Sequence, residues 1–283
     1  MKILIILLLV FSNVCYADKI SIYVSNPVGG ISDVLARFIA KNQNEAVVVN
    51  MPGALTQQAM RHAFRNQQPL IVETSTLIID PIIHGRDRTY DIKSNFKEII
   101  LLGTAPNVFI VHQSNPATNL TTFKHWVLTS NIDLTYATSG SMTQIAALEI
   151  MDHLGISGRG IPYKGGSNAV QAVMRNEVNF HVGNLVGARS ALATKKVNNI
   201  IQKKEIFKTR GYYGIAFPNS MSIELIGYWQ RLILELFNNK DFRLELAGVG
   251  FDVDLIYGDQ FPIWINRETV YYEGAIKRFN IVE

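Results

Sequence analysis

Ile161-Pro162-Tyr163-Lys164-Gly165-Gly166-Ser167 leads straight into Ala169, Val170, Val173 and Met174, apolar positions that share one face of an α-helix. Two glycines and a serine therefore stand where a helix's first N–H groups have no intrahelical partner. Glycine lets a ligand approach the backbone, and Ser167 or Asn168 could cap the helix. Such a turn offers N–H donors and the positive end of a helix dipole, which suits an anion. It also suits a plain strand-to-helix connection. The binding reading gains weight because the same grammar occurs twice more. Ser25-Asn26-Pro27-Val28-Gly29-Gly30 precedes Ile31-Ser32-Asp33, and Thr138-Ser139-Gly140-Ser141 precedes an apolar helical run. Thr74-Ser75-Thr76 follows a short apolar strand and adds hydroxyls.

The chemistry these loops lack is as informative. The histidines His62, His84, His112, His125, His153 and His181 show no short metal-ligand spacing, and no metal or cofactor is expected. Gly165-Gly166-Ser167-Asn168-Ala169 is the nearest approach to a nucleophile elbow but lacks the closing glycine. No dinucleotide-binding or P-loop pattern occurs. Loops rich in neutral donors and poor in acids and bases hold a ligand better than they convert one, so the chain is not expected to be an enzyme.

The elements that must carry these loops alternate between strand and helix. Ile20, Ile22 and Val24 alternate with polar neighbours in a first strand, and Val34, Leu35, Phe38 and Ile39 mark the helix after it. Val47 to Val49, Leu70 to Glu73, Ile99 to Gly103, Val108 to His112, Asp133 to Tyr136 and Val178 to Val182 read as further strands. Helices are expected over Leu55 to Asn66, Met142 to Leu154, Ser222 to Phe237, Lys240 to Ala247 and Gln260 to Phe279. The alternation predicts an α/β fold of mostly parallel sheets flanked by helices, with ligands outside the carboxyl ends of the strands. Ala105-Pro106-Asn107 reads as a crossing between two lobes and Ile215-Ala216-Phe217-Pro218 as the return. That gives one lobe of residues 18–104 and 218–283 and a second of 105–217. Hinge closure about Pro106 and Ala216 would follow.

Residues 1–17 differ from the rest. Lys2, an apolar run from Ile3 to Phe11, and Cys15-Tyr16-Ala17 before Asp18 make a secretory signal peptide, and the run is far short of the ~20 residues of a spanning helix. The only cysteine, Cys15, lies there, and Ser12-Asn13-Val14 matches a lipidation signal poorly. A mature chain without cysteine excludes disulfides, thiolate nucleophiles and cysteine-held metals. Without Lys2, 26 basic residues face 23 acidic ones. They are scattered, with Lys195-Lys196 and Lys203-Lys204 the doublets, which argues against nucleic-acid binding.

Taken together and in order, the loop motifs resemble the substrate-binding receptors of tripartite tricarboxylate transporters, the Bug-type periplasmic receptors. The resemblance rests on Gly29-Gly30-x-Ser32-Asp33, Asn50-x-Pro52-Gly53-Ala54, Thr74-Ser75, Ala105-Pro106-Asn107-Val108, Tyr136-Ala137-x-Ser139-Gly140, Pro162-Tyr163-Lys164-Gly165 and Asn184-Leu185. The Pro-Tyr-Lys-Gly block is the most specific. The resemblance implies a two-lobed type II periplasmic binding fold with the ligand cleft between lobes. It also implies a small carboxylate held by loop amides, hydroxyls and waters. By motif the contacts fall on Ser25, Asn26, Gly29, Gly30, Ser32, Asp33, Thr74, Ser75, Ser139, Gly140, Ser141, Tyr163, Lys164, Gly165, Gly183 and Asn184. Asp33 could instead serve only its helix N-terminus, Tyr163 could pack between lobes, and Lys164 could face solvent.

This chain departs from the family at several positions. Asn26 stands for an aromatic, Ser25 for a proline, and Gly183 for an aspartate; Gln67-Gln68-Pro69 replaces a longer turn, and the loop after Ile200 is short. The implied function is a periplasmic, monomeric receptor that passes a carboxylate to membrane transporter subunits. Rival readings are a sensory receptor for a membrane sensor kinase, a receptor that has lost its ligand, and a hydrolase using Ser141 or Ser167.

Overall fold

Phe96–Ala105 and Asn107–His112 are consecutive strands separated only by Pro106, yet they belong to different sheets. The computed structural model describes residues 20–43, 46–53, 56–85, 90–201 and 208–281; the expected signal peptide lies outside them.

Before the crossing come β1 (Ser21–Val24), α1 (Ile31–Lys41), β2 (Val47–Asn50), α2 (Gln57–Asn66), β3 (Leu70–Glu73), α3 (Thr74–His84) and β4 (Phe96–Ala105). Beyond it lie β5 (Asn107–His112), α4 (Leu120–Thr129), β6 (Thr135–Thr138), α5 (Ser141–Leu154), β7 (Arg159–Pro162), α6 (Gly166–Met174), β8 (Phe180–Asn184), α7 (Leu185–Ala193) and β9 (Val197–Asn199). The chain then returns through β10 (Gly211–Pro218), α8 (Ile223–Asn238), α9 (Lys240–Gly248), β11 (Asp252–Ile256) and α10 (Gln260–Arg278).

One sheet has six strands in the order β11-β4-β10-β3-β1-β2, the other five in the order β7-β6-β8-β5-β9. This is the expected two-sheet α/β architecture. More of it is antiparallel than strand–helix alternation suggests. β2-β1-β3 and β7-β6-β8 are parallel, whereas β4, β10 and β11 pair antiparallel, as does β5 with β8 and β9. The antiparallel strands include those entering and leaving the lobe-to-lobe crossings.

The return crossing needs correction. Ala216 is fully buried inside β10, which pairs with β3 and β4 in the six-stranded sheet. The return therefore precedes Gly211, and residues 211–217 stand with the first lobe. Thr209 anchors this passage: it is fully buried, its carbonyl accepts from Asn107 Nδ2 at 2.9 Å and its N–H donates to Glu149 Oε2 at 3.1 Å. The two crossings are thereby stitched together.

Each sheet is covered on both faces. In β4, Ile99 and Leu101 enter one core cluster while Ile100 and Leu102 enter the other. In β5, Phe109 and Val111 face one side while Val108 and Ile110 face the opposite one. This is the period-two alternation of a strand buried on both faces. α5 serves both lobes, with Ala146, Ala147, Ile150 and Met151 in the second lobe's core and Met142 and Ile145 in the first's.

α3 was not expected; its threonines, β-branched residues and Pro81 are weak helix formers. Burial of Leu77, Ile78 and Ile79 in the first lobe's core overrides that preference. Helices α4 and α7 and strand β9 also went unrecognised in the sequence.

Candidate functional site

α3 begins immediately after β3, and α5 begins immediately after the Ser139-Gly140 loop that follows β6. Their first turns meet at a cavity of about 500 Å³ between the two sheets, a size that suits a small organic ligand. α6 closes the other side. Its N-cap is Gly165 at φ +89°, a conformation that favours glycine, and no side chain caps it. Gly140, the N-cap of α5, has φ +151° and also lacks a side-chain cap. Neither Ser167 nor Asn168 caps α6 as expected; Asn168 Nδ2 donates instead to the Lys164 carbonyl at 2.7 Å. The first-turn N–H groups of α5, at Ser141, Met142 and Thr143, therefore open on the cavity, whereas at α6 the Asn168 N–H donates to the Gly165 carbonyl at 3.2 Å and the N–H groups without an intrahelical partner are those of Gly166 and Ser167, next to Gly165 in the chain.

Of the residues singled out from the sequence, Ser25, Asn26, Ser139, Gly140, Ser141, Tyr163, Lys164 and Gly165 line this cavity. They come from three loops far apart in sequence. Gly165 sits against the first lobe, where a Cβ on it would meet Pro27 Cγ at 3.0 Å. Lys164 is exposed at the rim. Ser139 N–H donates to Thr143 Oγ1 at 2.8 Å, which fixes the loop to the first turn of α5.

The remaining expected residues do not line it. Gly30 is the N-cap of α1, and Gly29, at φ +82°, donates its N–H to Asp33 Oδ2 at 2.9 Å. Asp33 is buried and also accepts from Arg37 Nε at 3.0 Å. Burial alone would raise its pKa, but the bonds from Arg37 and Gly29 outweigh it and hold the carboxyl below the usual range. Asp33 is thus the helix-terminus charge, and Ser32 beside it is fully buried. The Thr74 hydroxyl donates to the Tyr212 carbonyl at 3.0 Å and that of Ser75 to the Arg210 carbonyl at 3.1 Å, fastening α3 to β10 and the strand's approach. Gly183 packs on an imidazole; a Cβ there would stand 2.4 Å from His181 Nε2. That imidazole is buried, donates Nδ1–H to the Ala137 carbonyl at 2.9 Å, and is pushed down to about 4, chiefly by burial. Asn184 caps α7 by accepting from Gly187 N–H at 2.8 Å.

Sequence reasoning missed Glu73 and Asp80, which line the cavity with Thr76. Glu73 ends β3, and one of its oxygens, Oε1, is out of solvent without a hydrogen-bond partner. Asp80 is 4% exposed, and its Oδ1 accepts from Ser141 Oγ at 3.0 Å. Burial, then the charge of Asp80, pushes Glu73 up to about 7; burial pushes Asp80 to about 6 against the Ser141 bond. The expectation of a site poor in acids and bases does not hold on this wall of the cavity. A signal was present: Thr76 and Asp80 are one helical turn apart, but only once α3 is recognised as a helix. Among the described residues, no group of three or more His, Cys, Asp or Glu could hold a metal.

Two lobes on separate sheets, with a cavity at helix N-termini between them, define the architecture of a solute-binding protein. The family described as tripartite tricarboxylate transporter family receptor matches residues 31–204, and the chain belongs to it. Among solved structures, Rpa4515 of R. palustris with adipate superposes with a TM-score of 0.83 at 16% identity, covering 93% of this chain and 98% of that one. MatC of Rhodopseudomonas palustris with bound malate gives 0.77 at 18%, covering 91% and 98%. The periplasmic binding protein BugD gives 0.81 at 15%, covering 93% and 98%. These likenesses establish the fold. A UPF0065 protein from the tcbD-tcbE intergenic region of Pseudomonas sp. (strain P51) is 22% identical over 181 residues, which is 60% of this chain and 54% of that protein. The chain thus spans about half the length of the curated relative it matches.

Proposed function

We propose that this chain is an exported receptor that captures a small carboxylate in the cavity between its lobes and passes it to a membrane transporter of the tripartite type. The observation that carries this reading is the pair of uncapped glycine N-caps, Gly140 and Gly165, opening α5 and α6 on one cavity from two loops. Oriented amides at two helix starts supply a carboxylate with donors and favourable dipoles without a dedicated cation. Solved relatives of the same fold hold adipate and malate, which supports the ligand class. The family description supports the transporter as partner. Residues 1–17 act as the export signal, cleaved before Asp18, and the lobes are the two sheets with their helices.

Catalysis is not part of this reading. Ser141 donates to a carboxyl, Ser167 is not a cavity residue, and no histidine is among the described residues lining the cavity. The test is a thermal-shift screen of unfolded-and-refolded, ligand-free protein against mono-, di- and tricarboxylates, sugars and amines. A carboxylate at 100 times its Kd is expected to stabilise the fold by about 2.7 kcal/mol. Stabilisation by sugars alone, with every carboxylate silent, would refute the proposal.

A further inference from the structure

A cavity that offers amides to a carboxylate also exposes that carboxylate to Glu73 and Asp80. Asp80 lies one hydrogen bond from the first residue of α5, through Ser141 Oγ at 3.0 Å. Glu73 feels its charge, and Glu73 Oε1 is buried with no hydrogen-bond partner. Among the described residues lining the cavity, the one basic side chain is Lys164. It is exposed, and it is not among the groups that perturb either acid. The charge interaction with His84, which does not line the cavity, lowers the Asp80 pKa slightly against burial. Among the described residues, the protein thus builds two acids into its ligand cavity with no basic side chain of the lining acting on either. With both acids ionised, a purely anionic ligand would bring a third negative charge to a region of low dielectric, where like charges repel strongly. Buried charge of this kind is tolerated when a positive charge or a proton accompanies it.

We propose that the ligand carries a cationic nitrogen close to its carboxylate, as in an amino acid, with the nitrogen held by Glu73 and Asp80 and the carboxylate by the first-turn amides of α5 and α6. The inference rests on the carboxylate reading above and narrows it. The Ser141–Asp80 contact places the acid site beside the start of α5, so the ligand's two charges lie close together. The unpartnered oxygen of Glu73 then accepts from the ammonium, and Ser141 spans the two halves of the site.

Calorimetric titration of ligand-free protein with matched pairs tests this: glycine against acetate, β-alanine against propionate, aspartate against succinate, glutamate against glutarate, with propylamine as the amine alone. At least one amino acid is expected to bind tenfold or more tighter than its des-amino partner. In Glu73→Gln and Asp80→Asn that preference should fall below threefold, and the des-amino partner should bind more tightly than it does to wild type because a repulsion is gone. Circular dichroism establishes that each variant is folded. A panel in which no amino acid outbinds its partner, complete silence included, overturns the proposal. If des-amino acids bind as well with uptake of a proton, seen by titrating in two buffers of different ionisation enthalpy, the acids recognise a proton instead and the proposal fails while the carboxylate reading stands. If propylamine binds and no acid does, both fail.

Discussion

The Ser141 hydroxyl donates to Asp80 Oδ1 at 3.0 Å, joining the first residue of α5 to α3 and so one lobe to the other. The contact is made at the cavity wall, where water is scarce and a hydrogen bond to a carboxyl is worth more than at the surface. Ser141→Ala should destabilise the fold by about 1–3 kcal/mol when Asp80 is ionised and by less when it is protonated. Thermal melts at pH 8 and pH 5 check this, with the larger loss expected at pH 8.

Glu73 and Asp80 make stability depend on pH with a definite sign. Both have folded pKa values above their ordinary ones, about 7 against 4.5 and about 6 against 3.8. The stability they contribute is therefore complete below about pH 4 and lost as pH rises through 6 to 7. His181 works the opposite way in an overlapping window, since a folded value near 4 costs stability as pH falls below 6.5. The wild-type profile mixes these effects, so the informative quantity is a difference. Glu73→Gln should be more stable than wild type at pH 8, by on the order of 1–3 kcal/mol, and should lose that advantage by pH 4. Denaturant unfolding at the two pH values measures it.

Residues that sequence reasoning assigned to the ligand, but that bond within the fold, should respond differently from cavity residues. Asp33→Asn weakens the Arg37 pair and the bond from Gly29 at the start of α1, and Thr74→Val removes the bond to the Tyr212 carbonyl. Each should lower stability by about 1–2 kcal/mol while leaving the order of preference among ligands unchanged. A rearranged ligand preference in either variant would return that residue to the site.

Motion between lobes should be small. α5 contributes Met142 and Ile145 to the first lobe's core, and α10 reaches it through Tyr271 to Glu149 and Arg278 to Asp152. Together with the stitched crossings at Asn107 and Thr209, these ties oppose a wide hinge opening. Small-angle scattering should find the radius of gyration unchanged on saturation, whereas a clear decrease on ligand addition would mark hinge-type closure.

The cavity was legible where the sequence concentrates glycine and hydroxyl residues after strands, because Gly140 and Gly165 occupy positive φ at helix N-caps. It was illegible where burial rather than local preference decides. α3 has a poor helical sequence and forms because its apolar side chains fill the first lobe's core, so Glu73 read only as a strand end and Asp80 drew no reading at all. Glycines were over-assigned for the converse reason. Gly183 lies against the His181 ring, which a Cβ would strike, and is not among the residues lining the cavity. The sheets were legible from their apolar runs, whereas the return crossing was misplaced because β10 is as apolar before Ala216 as after it.

The central claim is that backbone amides at the start of α5 and α6 hold the ligand, and one pair of variants tests it most directly. Gly165→Val introduces a β-branched residue at φ +89° and a Cβ 3.0 Å from Pro27 Cγ, distorting the amides that open α6. Lys164→Ala removes one exposed charge and leaves those amides in place. Calorimetric titration should find Gly165→Val folded but at least a hundredfold weaker for whichever carboxylate wild type binds, and Lys164→Ala within about fivefold of wild type. A folded Gly165→Val protein that binds normally, beside a Lys164→Ala protein that does not bind, would contradict the account and assign the ligand to a lysine ion pair.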